Sequence, residues 1–505
     1  MIGKRIFDSI FRHADIMPDH PAMIYHDEII TYGKFRFQGI AYAKKLLNLG
    51  LHKGDRLAYI SANCPQFSYL YIGASLVGIE CVGINVRATM SEIKKIIFSS
   101  GAKVVFVSKQ LHLAPDKLES IPVICLDDPD DHSFMHSLFD CSISDETIYK
   151  KMEEITEDDI VFVIHTSGTT GFAKGALLSH RGILASVKYQ LQEFCAPTGC
   201  TPETTIMNYY PTNHVSGALQ FGLAPFISGS TIIGLDRFDP FLVLETTQKY
   251  HVPVLSGVPT MWKMILGMES FNKFDLSSVK WCAIGATQAN EGLIRQILER
   301  FGILSNPLGM TELSGFCSGF SGVSNYDLVA NTVGHIIPRL ETIIVDDNDN
   351  ILKTGDLGEI CYKGDSVIPG YYNTTLKKTA SGYMKSGDVG FFDKNRYFHY
   401  CGRKDDMFFV GGYNVHPTEI EHAILSIDGI EDVVVCPKKH KTMGNVCRAY
   451  IVLRDTKDLS KNRIINILEN SLIYYKIPRD IIFVDHIERN IFGKINRHYY
   501  MQQDF

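Results

Sequence analysis

Six short apolar runs rich in β-branched residues, at 56–60, 103–107, 160–164, 230–234, 252–256 and 281–285, alternate with stretches of helical period. That alternation predicts α/β layers built on parallel strands. The interval 127–159 interrupts it, with a rise in acidic residues and no β-branched run, and reads as a surface connection rather than a domain boundary. From residue 341 the spacing tightens. Runs at 341–345 and 359–363, parted by turn residues, predict an antiparallel or barrel-like portion. The chain then reaches the charged turn Gly402-Arg403-Lys404-Asp405-Asp406. Beyond it, a helix over 417–425, strands near 432–436 and 447–453, and a helix near 463–472 are enough for a separate small α+β domain.

The size agrees, since 505 residues amount to roughly two to four folding units. Hydrophobic residues make up 45% and charged residues 21%, the balance of a globular chain. Fifty Lys and Arg against fifty-six Asp and Glu leave a net charge of -6, so no global basic field draws the protein to nucleic acid or anionic membranes. The twelve cysteines are scattered without a CxxC pair or a His cluster at zinc spacing, which predicts reduced thiols and a cytoplasmic location. Lys4, Arg5, Asp8 and Arg12 leave no apolar signal core, and Glu80 interrupts the apolar run 71–86, so no membrane insertion is expected.

The apolar run 160–164 feeds Thr166-Ser167-Gly168-Thr169-Thr170-Gly171-Phe172-Ala173-Lys174-Gly175. Backbone N–H groups, hydroxyls and one ammonium in such a loop suit a polyphosphate. It is not a Walker A loop, because Lys174 stands between Ala173 and Gly175 where that motif requires Gly before and Ser or Thr after. Alone, the segment could also be a polar surface loop, the less favoured of the two readings.

The segment closely resembles the signature loop of the adenylate-forming superfamily, which includes acyl-CoA and aryl-CoA ligases, peptide-synthetase adenylation domains and luciferases. Further matches follow in the superfamily's order: Pro211-Thr212-Asn213-His214-Val215-Ser216-Gly217, Gly309-Met310-Thr311-Glu312, Ser386-Gly387-Asp388, the stretch from Gly402-Arg403 to Gly411-Gly412 with Pro417-Thr418-Glu419-Ile420-Glu421, and Gly493-Lys494-Ile495-Asn496-Arg497. The resemblance implies an AMP-binding domain over 1–401, a hinge at 402–406 centred on Asp405, and a mobile lid domain over 407–505.

It also implies roles. Glu312 would hold Mg2+, while Thr311, Thr166, Ser167, Thr169, Thr170 and Lys174, with the backbone of Gly168, would grip phosphate oxygens of ATP. Asp388 and Arg403 would bind the ribose hydroxyls, a carboxylate accepting from a diol and Arg supplying directed donors. Gly285, Ala286, Leu308, Gly309, Met310 and Tyr400 would surround the nucleotide. Lys494 would bridge the substrate carboxylate and the α-phosphate where charge spreads over both. An ionised carboxylate is already nucleophilic at neutral pH, so the first step needs alignment and charge neutralisation more than a base. His214 would therefore act as a pocket gate. Each of these residues, taken singly, also has an ordinary structural reading; their order and spacing together favour the functional one.

Three positions depart from the usual pattern: Ala173 replaces a common proline, Leu308 stands where many relatives carry an aromatic ring, and the strand 283–287 lacks a usual proline. Val215 stands where amino-acid-activating domains usually carry Asp. An α-ammonium would then be buried unpaired, so with Ser216 and Gly217 the pocket suits an uncharged aryl or aliphatic carboxylic acid. Gly412 lies in a glycine pair that resembles the pantetheine tunnel of CoA ligases. The chain ends soon after Lys494 with no appended carrier domain, which favours CoA as acceptor. The expected activity is an ATP-dependent carboxylic acid:CoA ligase working through acyl-AMP with release of pyrophosphate. The alternatives are an adenylating enzyme that loads an acyl carrier protein, and a non-catalytic binding protein of the same fold.

Overall fold

All six expected runs form strands, and they divide among three sheets. The computed structural model describes residues 3–109, 118, 121–127, 142–166, 173–192, 204–285, 289, 291–320, 323–454, 459–489 and 495–503. The largest sheet has the spatial order Val123–Cys125, Val104–Val107, Arg56–Ile60, Glu80–Gly83, Ile160–Thr166, Lys174–Ser179. Its strands are parallel except the last pair, an antiparallel hairpin. A second sheet runs Glu28–Thr31, Pro21–Tyr25, Thr231–Gly234, Thr205–Asn208, parallel beyond its first pair. Val254–Gly257 and Trp281–Ile284 form a third, parallel pair.

The apolar run 71–86 turns out to be two elements. The helix Pro65–Val77 is buried on nearly every face, starts on a proline and ends at Gly78 with φ +73. The strand Glu80–Gly83 follows at once. Gly73 lets this helix cross Tyr32–Asn48 closely: a Cβ there would lie 2.8 Å from the Ala43 backbone nitrogen. Among the described residues no helix is long and apolar enough to cross a membrane. Within 127–159 the described part holds one helix, Asp145–Glu153, which buries only Ile148, as a surface connection should.

Glu341–Val345, Gly358–Lys363, Met384–Phe392 and Phe398–Arg403 form an antiparallel sheet in chain order, the antiparallel portion expected. Beyond the single turn Lys404–Asp406 comes the small α+β domain. It comprises the hairpin Phe408–Val410 and Tyr413–Val415, the helix Pro417–Leu425, the sheet of Ile430–His440, Gly444–Leu453 and Asp480–Phe483, and the helix Lys461–Leu468. Its core, including Val415, Ile420, Ile424, Val433 and Ile451, is distinct from those of the larger part. The nine described cysteines are free. Burial raises the thiol pKa at Cys64 and Cys401, each pushed up to about 11.

Candidate functional site

The hairpin of the large sheet carries the candidate phosphate loop at its tip. Its register sets His165 opposite Gly175 and Thr166 opposite Lys174. Ser167, Gly168, Thr169 and Thr170 lie outside the described residues. The root of the loop is gripped by a short segment from far along the chain. Tyr372 N–H donates to Gly175 O at 3.0 Å and Leu177 N–H to Gly370 O at 3.1 Å, so 370–373 adds to the outer edge of Lys174–Ser179. Asn373 clasps the same strand from its side chain, accepting from Gly175 N–H at 3.2 Å and donating to Ala173 O at 2.9 Å.

The Tyr372 ring crosses directly over Gly175, where a Cβ would meet ring carbons at 1.9 and 2.2 Å. Only glycine admits that crossing. The Tyr372 hydroxyl sits 3.1 Å from His165 Nε2 and 2.9 Å from Ser99 Oγ, while His165 Nδ1 faces Gly83 O at 3.3 Å. His165 is 4% exposed, and burial lowers its pKa to about 4. The imidazole is therefore neutral at pH 7, and it serves as a hydrogen-bonding block beneath the loop.

Glu312 is presented by a tight hairpin. Gly309–Met310 pairs with Gly315–Phe316, and the single turn Thr311–Leu313 lies between, closed by Ser314 at φ +56. The Glu312 carboxylate accepts from Tyr371 Oη at 2.6 Å, and its backbone carbonyl accepts from Ile368 N–H at 2.9 Å. Burial, then the Glu312 charge, pushes the Tyr371 phenol far above its usual range, so Tyr371 is the donor at any working pH. Lys174 Nζ lies 5.8 Å from the centre of the Tyr371 ring, within cation–π reach. Thr311 is buried beside Glu312, and Leu308, Met310 and Tyr400 share one apolar cluster.

Asp388 and Arg403 are cross-strand partners, joined by a 2.7 Å hydrogen bond from Arg403 Nη1 to Asp388 Oδ1. Burial opposes the Arg403 charge, but Asp388, Tyr400 and Glu312 outweigh it and raise its pKa. The chain turns into Asp388 through Gly387 at φ +74, whose N–H donates to Glu359 Oε1 at 3.0 Å. Thus Tyr371 links Lys174 to Glu312, and Arg403 answers to the charges of Asp388, Tyr400 and Glu312.

The gate segment takes an unexpected form. Ser216–Leu223 is π-helical, a rare conformation concentrated at functional sites. His214 is half-buried, and its Nδ1 accepts from Ser216 N–H at 3.4 Å. Val215 is buried in the core with Ala218 and Leu219, Ser216 is half-buried, and Gly217 fits where a Cβ would lie 2.2 Å from Pro211 O. Gly285 closes the strand Trp281–Ile284, its N–H 3.3 Å from Gly257 O. Asp405 is exposed in the turn between the two parts, and Gly412 is exposed at φ +87 in the small-domain hairpin. Ala286 and Lys494 lie outside the described residues.

Sequence reasoning overlooked Tyr371, Tyr372, Asn373, His165 and Glu359. The only local signal was Pro369-Gly370 ahead of two adjacent tyrosines.

Two family models match the chain: "AMP-binding enzyme" over residues 10–372 and "AMP-binding enzyme C-terminal domain" over 419–494. The 3-[(3aS,4S,7aS)-7a-methyl-1,5-dioxo-octahydro-1H-inden-4-yl]propanoyl:CoA ligase of Mycobacterium tuberculosis (strain ATCC 25618 / H37Rv) is 27% identical, covering 95% of each chain. The 4-coumarate:CoA ligase 1 of Petunia hybrida is 28% identical, covering 96% of this chain and 92% of the relative. Among solved structures, ATP-bound MatB from Rhodopseudomonas palustris superposes with a TM-score of 0.88 at 24% identity over 99% of both chains, a likeness of fold.

Proposed function

This chain belongs to the AMP-binding enzyme family, and from that membership we propose that it is an ATP-dependent carboxylic acid:CoA ligase. The reading is supported by relatives of nearly full coverage that are CoA ligases. The observation that carries it is the connected group of Glu312, Tyr371, Asp388 and Arg403, drawn from segments distant in sequence and set beside the root of the hydroxyl-rich loop.

In the first half-reaction the substrate carboxylate attacks the α-phosphorus of ATP, forming acyl-AMP as pyrophosphate leaves. The chain's task is to align the two anions and offset their charge. Lys174 and the 166–170 hydroxyls take phosphate oxygens, Asp388 and Arg403 take the ribose, and Lys494 bridges the reacting groups. Mg2+ takes one or two carboxylates alongside substrate phosphates. Glu312, held in orientation by Tyr371, is the residue to hold it. When bound, the ion neutralises phosphate charge.

In the second half-reaction the CoA thiol displaces AMP. The domain over 407–505 reorients about the hinge at 402–406, with Asp405 as its centre, bringing Gly412 toward the pantetheine arm and withdrawing Lys494 from the large domain over 1–401. The free thiols of the nine described cysteines support a cytoplasmic setting for the enzyme. Val215 offers no partner for an α-ammonium, so the acid is an uncharged aryl or aliphatic one. A screen of carboxylic acids for AMP formation, with CoA and with acyl carrier proteins as acceptors, tests the reading. A desamino acid should outrank its matched α-amino acid, with CoA as acceptor. An amino acid on top, or a response only to a carrier protein, would replace the proposed substrate or acceptor.

A further inference from the structure

The residues on either side of Asp405 are tied to opposite parts of the molecule. Lys404 Nζ lies 2.7 Å from Asp347 Oδ1, in the turn that follows Glu341–Val345, and 3.1 Å from Glu359 Oε2, on the neighbouring strand Gly358–Lys363 of the larger part. The Glu359 side chain is only 6% exposed, and its other oxygen holds the Gly387 N–H beside Asp388. On the far side, Asp406 Oδ2 lies 3.4 Å from Arg497 Nε. Arg497 is a small-domain residue, 13% exposed. Its Nη2 donates to Glu421 Oε2 at 2.7 Å and its Nη1 to Val435 O at 2.8 Å. Asp405 itself is exposed.

These attachments set unequal costs for bending the chain at adjacent bonds. Swinging Lys404 away from the larger part would take from the buried Glu359 carboxylate the nearer of its two ammonium groups, Lys385 Nζ being 3.9 Å from the same oxygen, and swinging Asp406 away from the small domain would take from the buried Arg497 guanidinium one of its two carboxylates, Glu421 being the other. Turning at Asp405 breaks neither pair. The backbone bond spanning it, Met407 N–H to Lys404 O, is already long at 3.3 Å. We propose that the opposed pairs Lys404–Glu359 and Asp406–Arg497 confine reorientation of the small domain to the backbone of Asp405, which makes Glu359 and Arg497 positioning residues for the second half-reaction. The proposal rests on the reorientation described under the proposed function. Because Glu359 also holds the Gly387 N–H, the irregular stretch of strand that carries Asp388 stays with Lys404 while the small domain moves.

The test compares two rates in the full-length enzyme: acid-dependent pyrophosphate exchange, and single-turnover transfer of the acyl group from acyl-AMP to CoA. Asp405→Pro fixes φ at the pivot and should slow transfer by about a hundredfold or more while exchange stays within about threefold. Lys404→Met releases the larger-part anchor, and Asp406→Asn weakens the other; each alone should change either rate by only about twofold to threefold. Combined with Asp405→Pro, either should restore transfer at least about tenfold, because a neighbouring bond becomes free to turn. If Asp405→Pro separates the two rates and neither double variant recovers, the anchors do not confine the pivot and the proposal is overturned. If Asp405→Pro slows both rates equally, the reorientation itself is wrong. Having two double variants keeps the test decisive should one fail to fold.

Discussion

Asp388 and Arg403 stand opposite each other on neighbouring antiparallel strands, Nη1 to Oδ1 at 2.7 Å. The register, not a flexible loop, sets a carboxylate beside a guanidinium, and the Gly387–Glu359 hydrogen bond holds the strand at its register irregularity. Sites built on strands in this way are held to the narrow tolerances that positioning of a nucleotide needs.

Asp388→Asn keeps the shape and removes the charge. Loss of a charged acceptor should raise the KM for ATP about tenfold to a hundredfold, with the KM for the acid nearly unchanged. Steady-state kinetics with each substrate varied separately checks this. An unchanged KM for ATP would remove Asp388 from the nucleotide site.

Tyr371→Phe deletes the donor that orients Glu312 and leaves the ring beneath Lys174. Partners of this kind commonly change metal affinity by about tenfold or more. The Mg2+ concentration giving half-maximal activity at fixed ATP should rise accordingly, while thermal unfolding shifts by only a few degrees. An unaltered Mg2+ dependence would mean that the hydroxyl serves the fold alone.

His165 provides a pH prediction. Its folded pKa of about 4 lies below the ordinary 6.5, so in that interval the unfolded chain binds a proton that the folded chain does not. The stability it contributes is complete above 6.5 and is lost as pH falls toward 4. Urea unfolding at pH 7.5 and pH 5 should show the wild type losing about 1–2 kcal/mol more than His165→Gln over that step. Equal losses would contradict the burial argument. Carboxylates that titrate lower affect both proteins alike.

Legibility in the sequence followed locality. Arg56–Ile60 and Pro417–Leu425 were readable because each concentrates its apolar residues within one element. Glu80–Gly83 was hidden, since it continues the apolar run of Pro65–Val77 and only Gly78 and Ile79 separate the two. Lys174–Ser179 has no β-branched residue and forms by pairing with Ile160–Thr166. The π-helical turns at Ser216–Leu223 leave no periodic mark in eight residues. Glu312, Asp388 and Arg403 are singled out by motifs, but Tyr371 and Glu359 act on partners from other segments, and no window of the chain reports such pairs.

Acid activation is the step that defines an ATP-dependent carboxylic acid:CoA ligase. With ATP, Mg2+ and a panel of neutral carboxylic acids, wild-type enzyme should exchange labelled pyrophosphate into ATP only when its acid is present. Folded Lys494→Ala should lose about two to three orders of magnitude of that rate, as expected for one preorganised charge-stabilising donor. Exchange independent of any carboxylic acid, or a near wild-type rate in Lys494→Ala, would contradict the central claim.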